Sequence, residues 1–188
     1  VSGNYTTIEE VIRNELTVDE GDPLNNILYE KSINDIRSLR IFKKVESTIK
    51  DGSNENLKII DISVEEQPTG EFSLAAGYGT DGVTTGGSIN ERNFAGKAIN
   101  LNTNLELSED SIKGEISYSK PNFAYTDNTL FTSIKSIDND FLSIYGYESR
   151  EIGFSVGTKF EQYENLFFSP AFDLTFENHQ LIQLPLIT

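Results

Sequence analysis

Few residues of this chain have the type and spacing to do chemistry. His179 is the single histidine and cysteine is absent, so no imidazole or thiolate set exists for a transition metal. His179 therefore reads as a solvated loop or strand-end residue. Asp138-Asn139-Asp140 offers oxygen ligands, but the glycine and bidentate glutamate of the known calcium loop do not follow, which makes a polar hairpin end the expectation. Ala76-Gly77-Tyr78-Gly79 has the look of a potassium-filter loop, yet such loops are held between membrane helices, so the glycines read as strand features. Serine and threonine are plentiful, but one histidine leaves no acid-base partner set for a hydrolase. The expectation is a protein without catalysis, metal or cofactor.

With covalent chemistry set aside, the elements themselves carry the information. Asp61 to Gly96 joins the last strand of one small domain to a glycine-studded hairpin through Gln67-Pro68-Thr69-Gly70. Proline cannot donate to a sheet ladder and glycine relaxes the backbone, so one sheet ends there and another begins. The residues on the two sides of this junction follow different periods.

Before it, Thr6 or Thr7 followed by Glu9 and Glu10 reads as a helix start, and Ile8, Val11, Ile12 and Leu16 predict a short helix over about 8–16. Asp19-Glu20-Gly21-Asp22-Pro23 is a turn cluster. A longer helix is predicted over about 24–39 from the stripe Ile27, Leu28, Ile33, Ile36 and Leu39. Residues 45–50 and 57–65 alternate apolar and polar around Asp51-Gly52-Ser53-Asn54, which predicts a hairpin, with room for a further strand ahead of Val1.

After Gly70 the helical period disappears. Ile99, Leu101, Leu105 and Leu107 fall on one side of an extended chain, with Asn100, Asn102, Asn104 and Glu106 on the other. The same sorting recurs to Phe176 and predicts about seven strands, roughly 71–79, 84–94, 97–108, 111–120, 129–138, 148–160 and 164–177. Soluble strands centre on about 5–6 residues, whereas a tilted membrane-spanning strand needs about 9–11. Aromatics gather near strand ends at Tyr78, Phe94, Tyr118, Phe123, Tyr125, Phe160, Tyr163 and Phe167, as in the interfacial girdles of membrane barrels. A soluble sandwich shares the alternation but not the strand length or aromatic placement.

Composition narrows the classes further. The formal net charge is -15, with 8 basic and 14 acidic side chains in residues 1–68 and 7 and 16 in residues 69–188, so nucleic acid is not an expected partner. At 37% hydrophobic the chain is poor in material for a large dry core, and it has no apolar run of the roughly 18 residues that make a membrane helix. Absence of cysteine fits a cell-envelope protein. The start at Val1 lacks an initiator or leader and the end at Gln183-Leu184-Pro185-Leu186-Ile187-Thr188 is abrupt, so a fragment cut at both ends is expected.

Gly3-Asn4-Tyr5-Thr6-Thr7, Ile12-Arg13-Asn14-Glu15-Leu16, Glu20-Gly21 and Leu39-Arg40-Ile41-Phe42-Lys43-Lys44-Val45 together resemble a polypeptide-transport-associated (POTRA) domain. Val64-Glu65-Glu66-Gln67-Pro68-Thr69-Gly70, Gly77-Tyr78-Gly79 and Glu91-Arg92-Asn93-Phe94 with Gly96 then resemble the start of the barrel in the BamA family of bacterial outer-membrane assembly factors. Lys120-Pro121-Asn122-Phe123 and Asn139-Asp140-Phe141 are similar to the family's barrel region. The pattern departs at Arg40-Ile41, where glycine and an aromatic are common, and the family's arginine-containing lumen loop and closing strand are absent from these residues.

The resemblance implies an α+β POTRA domain, two helices on a small sheet, at residues 1–68 as the last of a tandem set, followed at 69–188 by antiparallel transmembrane strands of a partial β-barrel. It implies an outer-membrane location with the POTRA domain in the periplasm, and protein insertion without nucleotide or covalent chemistry. Its partners would be unfolded outer-membrane protein clients, lipoprotein subunits such as BamD at Glu20, and outer-membrane lipid. Phe72, Ser73, Leu74, Ala75, Ala76, Gly77, Tyr78 and Gly79 would form one side of a lateral seam that templates an incoming strand. The alternatives are a dedicated two-partner exporter of the same superfamily and a passive porin with a periplasmic domain.

Overall fold

The computed structural model describes residues 1–18, 20–54, 57–79, 82–164 and 166–181. The terminal stretch Gln183–Thr188 and Asp19 of the turn cluster lie outside the described residues. The chain divides into two compact units, Val1–Gly70 with Glu91–Ile99, and Glu71–Asn90 with Asn100–Thr188. The first therefore takes in a segment from beyond the break in period at Pro68.

In the first unit, helices α1 (Glu9–Arg13) and α2 (Asn26–Ser38) accompany the antiparallel pair β1 (Phe42–Asp51) and β2 (Lys58–Glu66). The Asn25 side chain caps α2 by accepting from the N–H groups of Ile27 and Leu28 at 2.9 and 3.3 Å, which starts the helix two residues later than its apolar stripe suggests. Helix α1 is shorter than the predicted 8–16. Ile8, not a threonine, occupies its N-cap and makes no side-chain cap bond, and its N–H donates to Gly96 O at 2.9 Å. Ser2 adds to β2 through a parallel bridge to Ser63.

The core of this unit is Val11, Ile12, Ile33, Ile36, Ile41, Phe42, Val45, Ile62, Val64 and Ala98, all buried. Ala98 comes from the distal segment. Arg40 holds the left-handed conformation, φ 56°, immediately after α2, where the departure from the glycine pattern falls. Its carbonyl is bound by the Gln67 side-chain amide at 2.8 Å.

The second unit is a sheet in the order β10-β8-β7-β6-β5-β4-β3, with β9 paired to β8. Its strands are β3 (Gly70–Gly79), β4 (Gly82–Phe94), β5 (Ile99–Leu107), β6 (Ser111–Lys120), β7 (Thr129–Phe141), β8 (Tyr147–Tyr163), β9 (Leu166–Phe168) and β10 (Ala171–Leu181). The last predicted strand, 164–177, is two elements, because Ser169-Pro170 interrupts the ladder and Thr158 N–H turns to Pro170 O at 3.1 Å. One short helix, α3 (Leu142–Tyr145), lies between β7 and β8. No helix among the described residues is long and apolar enough to cross a membrane, which leaves strand crossing open.

Register sorts the two faces of the sheet. Thr103, Ile116, Ile134, Phe154 and Leu174 stand in one row, and Leu105, Gly114, Ser136, Ile152 and Phe176 in the next row of the same face. Ile116, Ile134, Phe154 and Leu174 are 41–56% exposed. The opposite face carries Asn102, Ser117, Ser133, Ser155 and Asp173 in one row and Asn104, Glu115, Lys135, Gly153 and Thr175 in another. Lys113–Glu106 and Lys135–Glu151 ion pairs, at 2.9 and 2.6 Å, lie on that polar face. A sheet apolar on one side only must set that side against something other than water.

Candidate functional site

Strand β3 ends the sheet, with β4 on one side and no strand on the other among the described residues. All ten of its residues are exposed. Alternation along the strand puts Phe72, Leu74, Ala76 and Tyr78 on one face, with Phe72, Leu74 and Tyr78 66, 75 and 85% exposed. Ser73, Ala75, Gly77 and Gly79 take the other face, so that face carries almost no side-chain bulk.

The glycines of β3 and β4 differ in what they permit. A Cβ at Gly77 or Gly79 would meet nothing within 4 Å, and neither residue has a positive φ. On β4, a Cβ at Gly86 would lie 2.8 Å from Leu105 O, and one at Gly87 would lie 3.1 Å from Leu74 Cδ2. The β4 glycines allow the neighbouring strands to approach. Those of β3 leave backbone amides and carbonyls bare on an open edge.

The root of β3 is held far more firmly. Thr69 Oγ1 donates to Glu91 Oε1, which also accepts the Asn93 N–H at 2.7 Å. Asn93, 9% exposed, donates from Nδ2 to Thr7 Oγ1 at 2.9 Å and accepts the Ala98 N–H at 2.9 Å. The Glu66 carboxylate accepts the N–H groups of Thr6, at 2.9 Å, and Thr7, at 2.6 Å. Burial acts to raise the Glu66 pKa, but these bonds together outweigh it and hold the carboxyl below its ordinary value. Gly96, φ 70°, fits because a Cβ there would be 2.1 Å from Thr6 O.

Glu20 lies on the turn after α1, fully in solvent at 88% side-chain exposure, and pairs with Arg13 Nη1 at 2.8 Å. Arg13 Nε also meets Glu9 at 2.7 Å, and this hydrogen bond depresses the Glu9 pKa. Glu20 and the β3 residues belong to different units. His179 is a β10 strand residue 3.1 Å from Glu177, and among the described residues no cluster suited to a metal ion occurs. Asp138 pairs with Arg150, Asn139 bonds Ser111 and Ser149, and Asp140 Oδ1 accepts the Leu142 N–H at 3.1 Å, so the Asp-Asn-Asp run serves a strand end and its turn.

In the sequence Thr6 or Thr7 reads as a helix start, and Glu91 and Asn93 stand out only as part of the Glu91-Arg92-Asn93-Phe94 motif, without a role of their own. A polar Glu-Arg-Asn run ending a strand of otherwise alternating character was the available signal.

No protein-family model matches the chain. Over 126 residues it is 27% identical to "Putative outer membrane protein assembly factor" of Treponema pallidum (strain Nichols), covering 63% of this chain and 15% of that protein. Over 109 residues it is 34% identical to "Outer membrane protein assembly factor BamA" of Neorickettsia risticii (strain Illinois), covering 56% of this chain and 14% of the relative. Among solved structures, BamA from Haemophilus ducreyi lacking POTRA domains 1-3 superposes with a TM-score of 0.80 at 23% identity, over 95% of this chain and 35% of that one. CdiB from Acinetobacter baumannii superposes with a TM-score of 0.54 at 13% identity, over 93% and 36%. The chain thus spans about a seventh of the curated relatives, is homologous to outer-membrane protein assembly factors, one of them named BamA, and shares the fold of the matched third of the BamA structure.

Proposed function

We propose that this chain is the segment of an outer-membrane protein assembly factor that presents a templating strand to its clients. The N-terminal unit is read as its last POTRA domain, in the periplasm. Strands β3 to β10 are read as the first part of its transmembrane barrel, with the apolar rows through Ile134 and Phe154 toward lipid and the polar rows through Ser133 and Lys135 toward the lumen.

The observation that carries the mechanism is β3: an edge strand, exposed throughout, with Gly77 and Gly79 in open space. Its free N–H and C=O groups pair with an incoming client strand by edge addition, which needs neither nucleotide nor covalent step. In the whole protein the same groups pair weakly with the closing strand, since glycine offers no cross-strand side-chain contact to hold it. At Glu20, a lipoprotein partner such as BamD would present a cation that competes with Arg13 for the carboxylate.

A disulfide lock tests this reading. In the full-length protein, a cysteine at Ser73 or Ala75 is paired with one on the closing strand at a Cα separation of about 6 Å. Assembly of a client barrel is expected to stop with the lock closed and return on reduction. Assembly that continues unchanged with the lock closed removes the templating mechanism.

A further inference from the structure

The contrast between the held root of β3 and its bare length assigns a role to a residue that contributes nothing to the strand's own edge. We propose that Glu91 is a positioning residue that pins the root of β3, through Thr69, to β4 and to the fold of the N-terminal unit. The proposal rests on the reading of β3 as the seam strand.

The geometry is a chain of bonds within one unit. Glu91 Oε1 takes the Thr69 hydroxyl and the Asn93 N–H, while Oε2 stands 3.2 Å from where a Cβ on Gly70 would be. One oxygen thus holds the residue before β3 and the other lies beside its first residue, Gly70. Asn93 continues the chain to Thr7 Oγ1, and Thr7 N–H continues it to Glu66, two residues before Pro68. Between them, the Gln67 N–H donates to Ile41 O at 3.2 Å and its side-chain amide to Arg40 O. Residues 66, 67 and 69 are each bound, and Pro68 restricts the link between them.

Strand β3 changes character at Gly70. A strand tied at one end and bare along the rest parts from a partner by peeling toward its root, and the pin sets where the peeling stops. Without the pin the root slides, and the edge groups that a client must match lose their register.

The test uses the full-length protein in lipid vesicles, with hydrogen exchange read at the amides of residues 71–74 and assembly of a client barrel followed in parallel. Thr69→Val keeps the side chain's shape but removes the donor. Its exchange at 71–74 is expected to rise about fivefold, the loss of roughly one hydrogen bond, and client assembly to slow. Thr69→Ser and Glu91→Gln keep donor and acceptor and are expected to restore both readouts, whereas Glu91→Ala matches Thr69→Val. Exchange at Ile33 and Ile36 stays unchanged if the N-terminal core remains folded, which separates loss of the pin from loss of the fold.

Unchanged exchange at 71–74 in Thr69→Val, or an equal rise in Thr69→Ser, overturns the pin. The Ser73 lock reports separately on templating: if the locked protein still assembles clients while Thr69→Val raises exchange, the seam reading falls and the pin remains as an anchor of β3.

Discussion

The side-chain amide of Asn93 donates to Thr7 Oγ1 at 2.9 Å across 86 residues of sequence. Both groups are buried, and Asn93 also accepts the Ala98 N–H. Asn93→Ala is expected to destabilise the N-terminal unit by about 1–3 kcal/mol, because it leaves a buried hydroxyl and a buried amide without partners. The rise in amide exchange at Ile12 and Ile36 measures it. A variant as protected as the parent at those positions would contradict the assignment.

Arg40 bears backbone strain that the sequence departs from pattern to accept. Its φ of 56° belongs to the left-handed region, which costs a non-glycine residue about 1–2 kcal/mol. Arg40→Gly is expected to stabilise the unit by up to about 1 kcal/mol, and Arg40→Val to destabilise it by more than that. Denaturant unfolding of the two variants orders them.

Glu66 makes the unit acid-sensitive. Its pKa in the folded chain is depressed, with burial opposing and the Thr7 and Thr6 bonds prevailing. A carboxylate depressed on folding contributes stability that is present above its unfolded pKa and is lost as pH falls through the folded value. The amide signals of Thr6 and Thr7 should therefore titrate with a midpoint below that of an ordinary glutamate. Glu66→Gln is expected to abolish the titration, and a midpoint at or above the ordinary value would defeat the attribution.

The two faces of the sheet give a paired test of the membrane reading. Ile134 stands in the exposed apolar row and Ser133 in the polar row beside it. In the full-length protein, Ile134→Arg is expected to cost roughly 2–4 kcal/mol if it lies near the bilayer midplane, and Ser133→Arg far less. Equal losses of folded barrel in the two variants would argue for a sheet with both faces in water.

The glycines of β3 and β4 should respond in opposite ways. Gly77→Val enters open space and is expected to leave the fold intact, while under the proposed templating mechanism its added side chain strengthens pairing with the closing strand and slows client assembly. Gly86→Ala drives a methyl to 2.8 Å from Leu105 O and lowers the folded yield. Faster assembly in Gly77→Val would count against a weakly held seam.

What was legible in the sequence is local. The period change at Pro68 marks the passage from the helical unit to the long strands, and β6 spans the predicted 111–120 because alternation and its flanking turns agree there. The apolar set Leu101, Leu105, Phe154, Phe172 and Leu174 shares one face, as period two requires. The long-range relations were not legible. Thr6 and Thr7 have the residue type of a helix cap, but the Thr7 hydroxyl meets Asn93 and its N–H meets Glu66, and the cap falls to Ile8. Nothing local in Glu91–Ile99 announces that this turn completes a distant core, because only the membership of Ala98 in the buried cluster of the helices and β1–β2 defines it.

Ala98 in that core also orders events in time. A chain is synthesised N-terminus first, so the residues of both helices and of β1 and β2 are made before Asn93 and Ala98. The core residue Ala98 and the partner of the Thr7 hydroxyl are therefore supplied only after β3 and most of β4 have been made. A fragment ending at Pro68 has the residues of both helices but neither Asn93 nor Ala98, whereas one ending at residue 99 has both. Completion of the small domain is thus tied to birth order: its core is complete only once the residues of β3 have been made.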